Sequence, residues 1–222
     1  MLSRTETVAR IVLDHSECAE VFHRHRIDFC CKGEMTLEAA ATARGLVADA
    51  LLEELRRAVA ARTPVAELDP RALTTPQLIA HIISTHHAYL RTTLPFVDTL
   101  AIKVSRVHGD HNPKLVDVAR VVAALVAALL PHLDEEEQGM FPAMMVRAPD
   151  TAALAPQIAA MWDDHRAVGA LLDELRTATE NYALPDWACK SYRTLFAELG
   201  QLEKDVLTHV HIENHVLAPR FA

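Results

Sequence analysis

The sequence has little glycine and few aromatic residues. Only six of its 222 residues are Gly, and Phe, Trp and Tyr together make up 5%. Half of the residues are hydrophobic, and Ala, Leu, Val and Glu are the prominent types. This composition favours an all-α protein. A chain of this length can bury a sizeable core and predicts one or two domains.

An excess of positive charge and a long apolar run are also lacking. The formal net charge is −8, which argues against nucleic acid or an anionic membrane surface as the main partner. The longest apolar run, residues 121–130, is shorter than a bilayer-spanning helix. The charges at Arg4, Glu6 and Arg10 are unlike a signal peptide. We therefore expect a cytoplasmic protein with no membrane partner.

Cysteine is sparse, with four residues in the chain. A disulfide between the neighbours Cys30 and Cys31 would close a very small, strained ring, so a structural bond between them is not expected. Reduced thiols fit a cytosolic protein better.

The first 61 residues predict a small helical domain, residues 1–61. Apolar residues at helical spacing predict one helix between residues 5 and 25, or two short ones joined near Asp14. Thr36 is a suitable N-cap for a short helix that Gly45 closes. The two later helices are predicted at Leu37–Ala43 and Ala48–Ala61.

Residues 62–74 contain two Pro and no helical periodicity, so they predict a linker. The remaining residues, 75–222, predict four long helices joined by short loops, which is typical of an up-down-up-down four-helix bundle. Pro95 predicts an irregularity in the first of them, and Pro131 a kink in the second. The predicted helices are 76–104, 114–145, 154–180 and 186–216.

A short phrase occurs twice in the bundle region. In each copy a His precedes a Glu by four residues, and a Pro follows the Glu six residues later. Residues four apart on a helix lie on the same face, so each copy directs an imidazole and a carboxylate to one point. The copies are His132, Glu136, Pro142 and His209, Glu213, Pro219.

A further His precedes each copy at nearly the same interval. His87 lies 45 residues before His132, and His165 lies 44 before His209. This suggests four helices around a pseudo-twofold axis, with four imidazoles and two carboxylates in the core. Nitrogen and carboxylate ligands without thiolate suit iron, manganese or zinc, and a carboxylate can bridge two cations. The pattern predicts a site for two transition-metal ions; the alternative is coincidence, with residues 134–137 as a solvated acidic face.

Several motifs carry a family resemblance. Those of the bundle resemble the hemerythrin-type HHE cation-binding domain: His81-Ile-Ile-Ser-Thr-His-His87, His132-x-x-x-Glu136, Trp162-Asp-Asp-His165 and His209-x-x-x-Glu213-Asn. With Asp28-Phe-Cys-Cys-Lys-Gly33 upstream, the chain from about residue 5 to 221 resembles the iron–sulfur cluster repair proteins (the RIC, or ScdA/YtfE-like, di-iron family).

The resemblance implies a hemerythrin-like bundle that holds two iron ions in a non-haem di-iron centre, oxo- or hydroxo-bridged. It also implies a role in restoring iron–sulfur clusters after oxidative or nitrosative stress, with iron–sulfur proteins as clients and NO or O₂ as small ligands. By position, the terminal ligands are His87, His132, His165 and His209, and the bridges are Glu136 and Glu213.

Other histidines are assigned less directly. His108 matches a family His between the first two bundle helices, and would complete the coordination of one iron or line the access path. His81 is expected near the site or at the surface. Exposed positions are expected for His86, His111, His211 and His215.

The pair Cys30 and Cys31 is predicted to act as a catalytic thiol pair that accepts iron or meets a client or NO. The alternatives are that these residues only pack the N-terminal unit, or that they form a second metal site with His23 and His25. Where the family has Gly-Gly, this chain has Lys32-Gly33. Lys32 would be strained at positive φ; alternatively, it would lower the pKa of the cysteines.

Three functions remain open from the sequence. The first is a di-iron repair protein that donates iron, with nitric oxide reduction at the same centre. The second is a hemerythrin-type carrier or sensor of oxygen or NO. The third is a helical protein whose His residues hold zinc or no metal. The N-terminal unit could also mediate a homodimer.

Overall fold

The computed structural model describes residues 2–61 and 68–221, so residues 62–67 of the predicted linker lie outside the described part. The fold is all-α, as expected: the described residues form no β-strand, and only one isolated β-bridge joins Thr7 to Thr36. Two compact units divide the chain. One comprises Met1–Ala72 and Val210–Pro219, and the other Leu73–His209 and Arg220–Ala222. The sequence-based domain limits, 1–61 and 75–222, stay a prediction.

The N-terminal unit contains four short helices, close to the predicted ones. The Thr36 side chain accepts a hydrogen bond from the Ala39 backbone N–H, and the backbone turns at Gly45 with φ of +68°. Such a positive φ is available to Gly at little cost. The helices are α1, Val8–Asp14; α2, Cys18–Arg24; α3, Leu37–Ala43; and α4, Ala48–Ala61.

Four long helices follow, and three of them include a π-helical turn. α5 runs through Thr75–His81, the turn Ile82–His87 and Ala88–His108. α6 runs through Lys114–Glu135, the turn Glu136–Met140 and Phe141–Met145. α7 is Thr151–Ala178, and α8 is Lys190–Ile212 followed by the turn Glu213–Leu217. These helices form the predicted hemerythrin-like bundle.

The most apolar of these helices is α6, which packs against α5 and α7. Its buried residues include Val121, Leu125 and Leu129. By length and composition, Lys114–Met145 is long and apolar enough to cross a bilayer, although the run at 121–130 alone is not. The core helix of a bundle meets the same criteria, because it buries apolar side chains against several neighbours.

The π-helical turns coincide with predicted metal ligands. One ends at His87, the second begins at Glu136, and the third begins at Glu213. The α-helix continues through Pro95 and Pro131, so the irregular turns lie elsewhere than the prolines suggested. A π turn inserts an extra residue and re-aims the side chains around it, and such turns are frequent at functional sites.

A buried ion pair joins α7 to α8. Arg176 Nε donates a hydrogen bond to Glu203 Oε1 at 2.6 Å, and the Tyr182 hydroxyl donates to Glu203 Oε2 at 2.7 Å. The Arg176 and Glu203 side chains are only 6% and 5% exposed. Because both charges are removed from water, each depends on the other for compensation.

We expect Glu203→Ala to lower the free energy of unfolding by about 3–5 kcal/mol, because the Arg176 charge is then left buried. Urea unfolding measures the change. The control is Glu53→Ala, which removes an exposed partner of Arg56 and should change stability little. A loss no larger than that of the control would contradict the role of the buried pair.

Candidate metal centre

Three predicted ligands meet in the bundle core between α6 and α7. His132 Nε2 lies 3.1 Å from His165 Nε2 and 3.3 Å from Glu136 Oε1. All three side chains are buried. The spacing of four residues on α6 places His132 and Glu136 on one face, and α7 supplies the third donor. Donor atoms this close together can bind a single cation.

His87 and His209 lie beside this group. His87 Nε2 is 3.4 Å from Glu136 Oε2, and the rings of His87 and His209 are 5.9 Å apart, edge to face. Glu136 therefore presents one oxygen to His132 and the other to His87. A carboxylate placed between two imidazoles in this way has the arrangement of a bridging ligand.

Glu213 occupies the matching position of the second phrase. It follows His209 by one helical turn on α8, begins the π-helical turn there, and is fully buried. By the contact pattern it belongs to the unit that includes Val210–Pro219. Its position on the helix agrees with the repeat in the sequence.

Carboxylates orient two of the imidazoles from the side away from the cluster. His87 Nδ1 donates to Glu137 Oε1 at 2.9 Å, and Arg91 Nη2 donates to the same oxygen at 3.1 Å. His132 Nδ1 lies 3.4 Å from Asp164 Oδ2. A proton held on Nδ1 leaves the lone pair on Nε2, which is the nitrogen that faces Glu136.

The donor set fits a transition-metal ion. Imidazole nitrogen and carboxylate oxygen without thiolate suit iron, manganese or zinc. Glu136 is only 2% exposed, and a buried carboxylate is costly unless a positive charge compensates it. A cation supplies that charge, so the fit rests on burial as well as on ligand type.

A cavity of about 130 Å³ adjoins the same residues. It is lined by His132 and Glu136, with Met140, Met161 and Asp164 among the other side chains. The space suits a molecule of a few atoms.

The structure does not bring His108 to this group. His108 follows His87 by 21 residues on α5, which corresponds to about 30 Å along a helix. Its Nε2 lies 3.1 Å from Cys189 Sγ, and its ring packs near Trp187 and Tyr192. The expectation that His108 is a ligand or lines the access path has no support from this position.

Two histidines expected at the surface are buried. They are His86, whose Nδ1 donates to Asp205, and His211, whose Nδ1 donates to the Phe29 carbonyl oxygen. Burial, with His215 as the smaller cause, lowers the pKa of His211 to about 3. His111 is exposed as expected. Residue type alone predicted that His86 and His211 are exposed. Their burial depends on hydrogen-bond partners that are distant in the sequence.

The cysteine pair lies in a turn organised by Asp28. Asp28 Oδ1 accepts hydrogen bonds from the backbone N–H groups of Cys30 and Cys31 and from the Cys30 thiol. The thiols are reduced, with the sulfur atoms 3.4 Å apart. The hydrogen bond with Cys31, followed by burial and the Asp28 charge, raises the pKa of Cys30 well above its usual value. The idea that Lys32 lowers it is wrong for Cys30.

The same turn shows why Gly33 is needed and Lys32 is tolerated. Lys32 is not among the residues with positive φ, so it carries no strain of that kind. A Cβ on Gly33 would lie 2.6 Å from the Ala9 Cβ and 2.7 Å from the Phe29 carbonyl oxygen. Asn214 and His215 donate to the Cys30 carbonyl oxygen at 3.1 and 2.8 Å.

The alternative metal site with His23 and His25 is not formed. His25 Nε2 instead lies 2.6 Å from Glu54 Oε2. Among the described residues of this unit, the donors that come together are Asp28, Cys30 and Cys31.

We expect Gly33→Ala to destabilise the cysteine turn, because the added methyl meets backbone and side-chain atoms that cannot move away easily. A cost of about 1–3 kcal/mol is typical of such overpacking. Faster amide hydrogen exchange at residues 30–33 measures the effect. The control is Gly200→Ala on α8, where the new Cβ lies 3.7 Å from Tyr182, an ordinary contact. Unchanged exchange in Gly33→Ala would contradict the close packing.

Two family models match the chain. The Hemerythrin HHE cation binding domain matches residues 78–221. ScdA_N, a domain of unknown function (DUF542), matches residues 4–59.

Curated relatives match over nearly the full length. The chain is 30% identical to the iron–sulfur cluster repair protein ScdA of Staphylococcus haemolyticus (strain JCSC1435), covering 100% of both chains. It is 33% identical to the iron–sulfur cluster repair protein YtfE of Yersinia pseudotuberculosis serotype O:1b (strain IP 31758), covering 98% of this chain and 96% of the relative. The chain therefore belongs to the family of iron–sulfur cluster repair proteins that join an ScdA-type N-terminal domain to a hemerythrin HHE cation-binding domain.

Proposed function

We propose that the bundle holds two iron ions, with His87, His132, His165 and His209 as terminal ligands and Glu136 and Glu213 as bridges. The observation that carries this proposal is the position of Glu136, whose two oxygens face His132 and His87 separately. Glu213 is assigned as the second bridge because it holds the position of Glu136 in the other copy of the phrase and lies one turn after His209. It also lies inside the matched HHE domain.

The surrounding residues prepare these donors for a metal. Glu137 and Asp164 fix the outward nitrogens of His87 and His132, so the inward nitrogens remain available. Arg91 Nη2 also donates a hydrogen bond to Asp134 Oδ1 at 2.7 Å. The acidic residues 134–137 are therefore partly bonded to protein groups and are not only a solvated face. When bound, a pair of irons supplies two-electron redox chemistry and coordination positions for a small ligand.

We infer that the protein serves iron–sulfur cluster repair in the cytoplasm by supplying iron to damaged clusters after oxidative or nitrosative stress. Two relatives that span the chain are named as iron–sulfur cluster repair proteins, which supports this role. An imidazole and carboxylate site lacks the thiolates that bind iron most firmly in clusters, so release is chemically reasonable.

Cys30 and Cys31 are the proposed thiols for transfer. Cys31 is partly exposed and Cys30 is buried, so a client or an iron ion would meet Cys31 first. The raised pKa keeps the Cys30 thiol protonated at neutral pH, and it would give up that proton on binding a metal.

A second candidate function is the binding or reduction of nitric oxide, with oxygen or NO sensing as a related alternative. The cavity of about 130 Å³ beside His132 and Glu136 favours it, because a diatomic molecule could reach the centre there. Both functions use the same proposed ligands.

We expect a double variant, Glu136→Ala with Glu213→Ala, to lose most of its iron, because both bridging groups are removed. Wild-type protein purified without air should carry about two irons per chain, and cells that make only the variant should not restore cluster enzymes after NO exposure. The control is His111→Gln, which alters an exposed imidazole. Full rescue by the double variant would contradict a role of the centre in repair.

We expect Glu137→Ala to weaken iron binding by about 10–100-fold, since partners of a metal-bound imidazole typically contribute this much. Competition with a coloured chelator measures the affinity. Glu174→Ala, which removes an exposed carboxylate on α7, is the control. Equal affinity in the two variants would show that the bond from His87 to Glu137 does not support a ligand.

A further inference from the structure

A second group of metal-binding side chains lies next to the proposed centre: His86 and Asp205, which are not in its ligand set, together with His209, which is. His86 Nδ1 donates to Asp205 Oδ1 at 2.8 Å, and the His86 ring lies 5.7 Å from that of His209. One donor atom from each of the three residues lies within 4.8 Å of the others. The His86 and Asp205 side chains are 8% and 14% exposed.

Local helix geometry explains how the group forms. The π-helical turn of α5 contains both His86 and His87, and both side chains are buried. Asp205 precedes His209 by four residues on α8, so the two lie on one helix face. The chain thus has another carboxylate and imidazole pair at this spacing, in addition to the repeated phrase.

We propose that His86, Asp205 and His209 hold a third divalent transition-metal ion, and that this position serves as a transfer step for iron to and from the di-iron centre. The transfer role depends on the proposed iron function; the binding of a cation does not. His209 is the donor that the two sites share: each of its ring nitrogens can bind one cation, and the ring loses its N–H proton to solvent when both sites are filled.

The donors suit such an ion in type and in separation. Two imidazoles and a carboxylate match divalent iron, cobalt or zinc. Bonds of about 2.1 Å at right angles place two donors about 3.0 Å apart, close to the separation of His86 Nδ1 and Asp205 Oδ1. Asp205 Oδ2 is buried and has no hydrogen-bond partner among the described residues, so a second oxygen is available.

The position lies between the surface and the ligand cluster. His81 is partly exposed, and its ring stands edge-on to the His86 ring at 5.8 Å. Donor side chains thus form a series from the outside of α5 to the buried centre: first His81, then the pair of His86 and Asp205, and then His209. A cation moving along this series exchanges one imidazole for the next.

A titration with Co²⁺ tests the binding. Iron-loaded full-length protein is titrated without air, and the visible absorption of bound Co²⁺ is followed. The wild type should bind one Co²⁺ per chain. The His86→Gln and Asp205→Asn variants should bind it at least tenfold more weakly, while their iron content equals that of the wild type. Any Co²⁺ held by the thiols contributes equally to all proteins. Identical titrations of the wild type and both variants would overturn the site.

The rate of iron release tests the transfer role. With an excess of a ferrous chelator, both variants should release iron several-fold more slowly than the wild type and the His111→Gln control. Equal rates would overturn the transfer step. Circular dichroism establishes that each variant is folded, and Asp205→Asn keeps the side-chain shape. If wild-type protein carries no iron, the proposed function fails, whereas the Co²⁺ difference between wild type and variants still decides whether the cation site exists.

Discussion

The Glu136 carboxylate is buried among imidazoles, and its negative charge has to be compensated inside the bundle. Glu136 is almost fully removed from water and has His132 on one oxygen and His87 on the other. Neutral imidazoles compensate a buried negative charge only in part, and a cation compensates it fully. This burial is consistent with a metal-binding bundle, whose helices hold the donor atoms at fixed separations.

The helices that carry the donor side chains depart locally from α-helical geometry. An ideal α-helix with a ligand every fourth residue leaves little freedom in where the donors point. The π-helical turns at His87, Glu136 and Glu213 add that freedom where it is used. Apolar packing along α6 and the buried pair of Arg176 and Glu203 hold the α-helical segments together away from these turns. The π-helical turns redirect the donor side chains, and the packed helices on either side hold those side chains in place.

The repeated phrase was enough to predict that His132 and Glu136 share one helix face, because spacing on a helix is a local property. Capping chemistry gave the Leu37–Ala43 helix for the same reason. His165 was placed with His132 and Glu136 by its interval before the second copy of the phrase. The π turns and the burial of His86 and His211 depend on neighbours distant in sequence, so local patterns could not reveal them. His108 differs: a family position suggested a ligand or a residue of the access path, but about 30 Å of helix separate it from His87. The raised pKa of Cys30 likewise follows from the hydrogen bond with Cys31, then from burial and the Asp28 charge, which the neighbouring Lys32 does not offset.

Anomalous scattering at the iron absorption edge, from crystals grown without air, locates bound iron within the bundle. We expect two peaks about 3.5–4 Å apart, as in two-metal sites, with His132 and His165 bound to one iron and His87 and His209 to the other. No peak among these side chains, or iron found only at Cys30 and Cys31, would contradict this expectation.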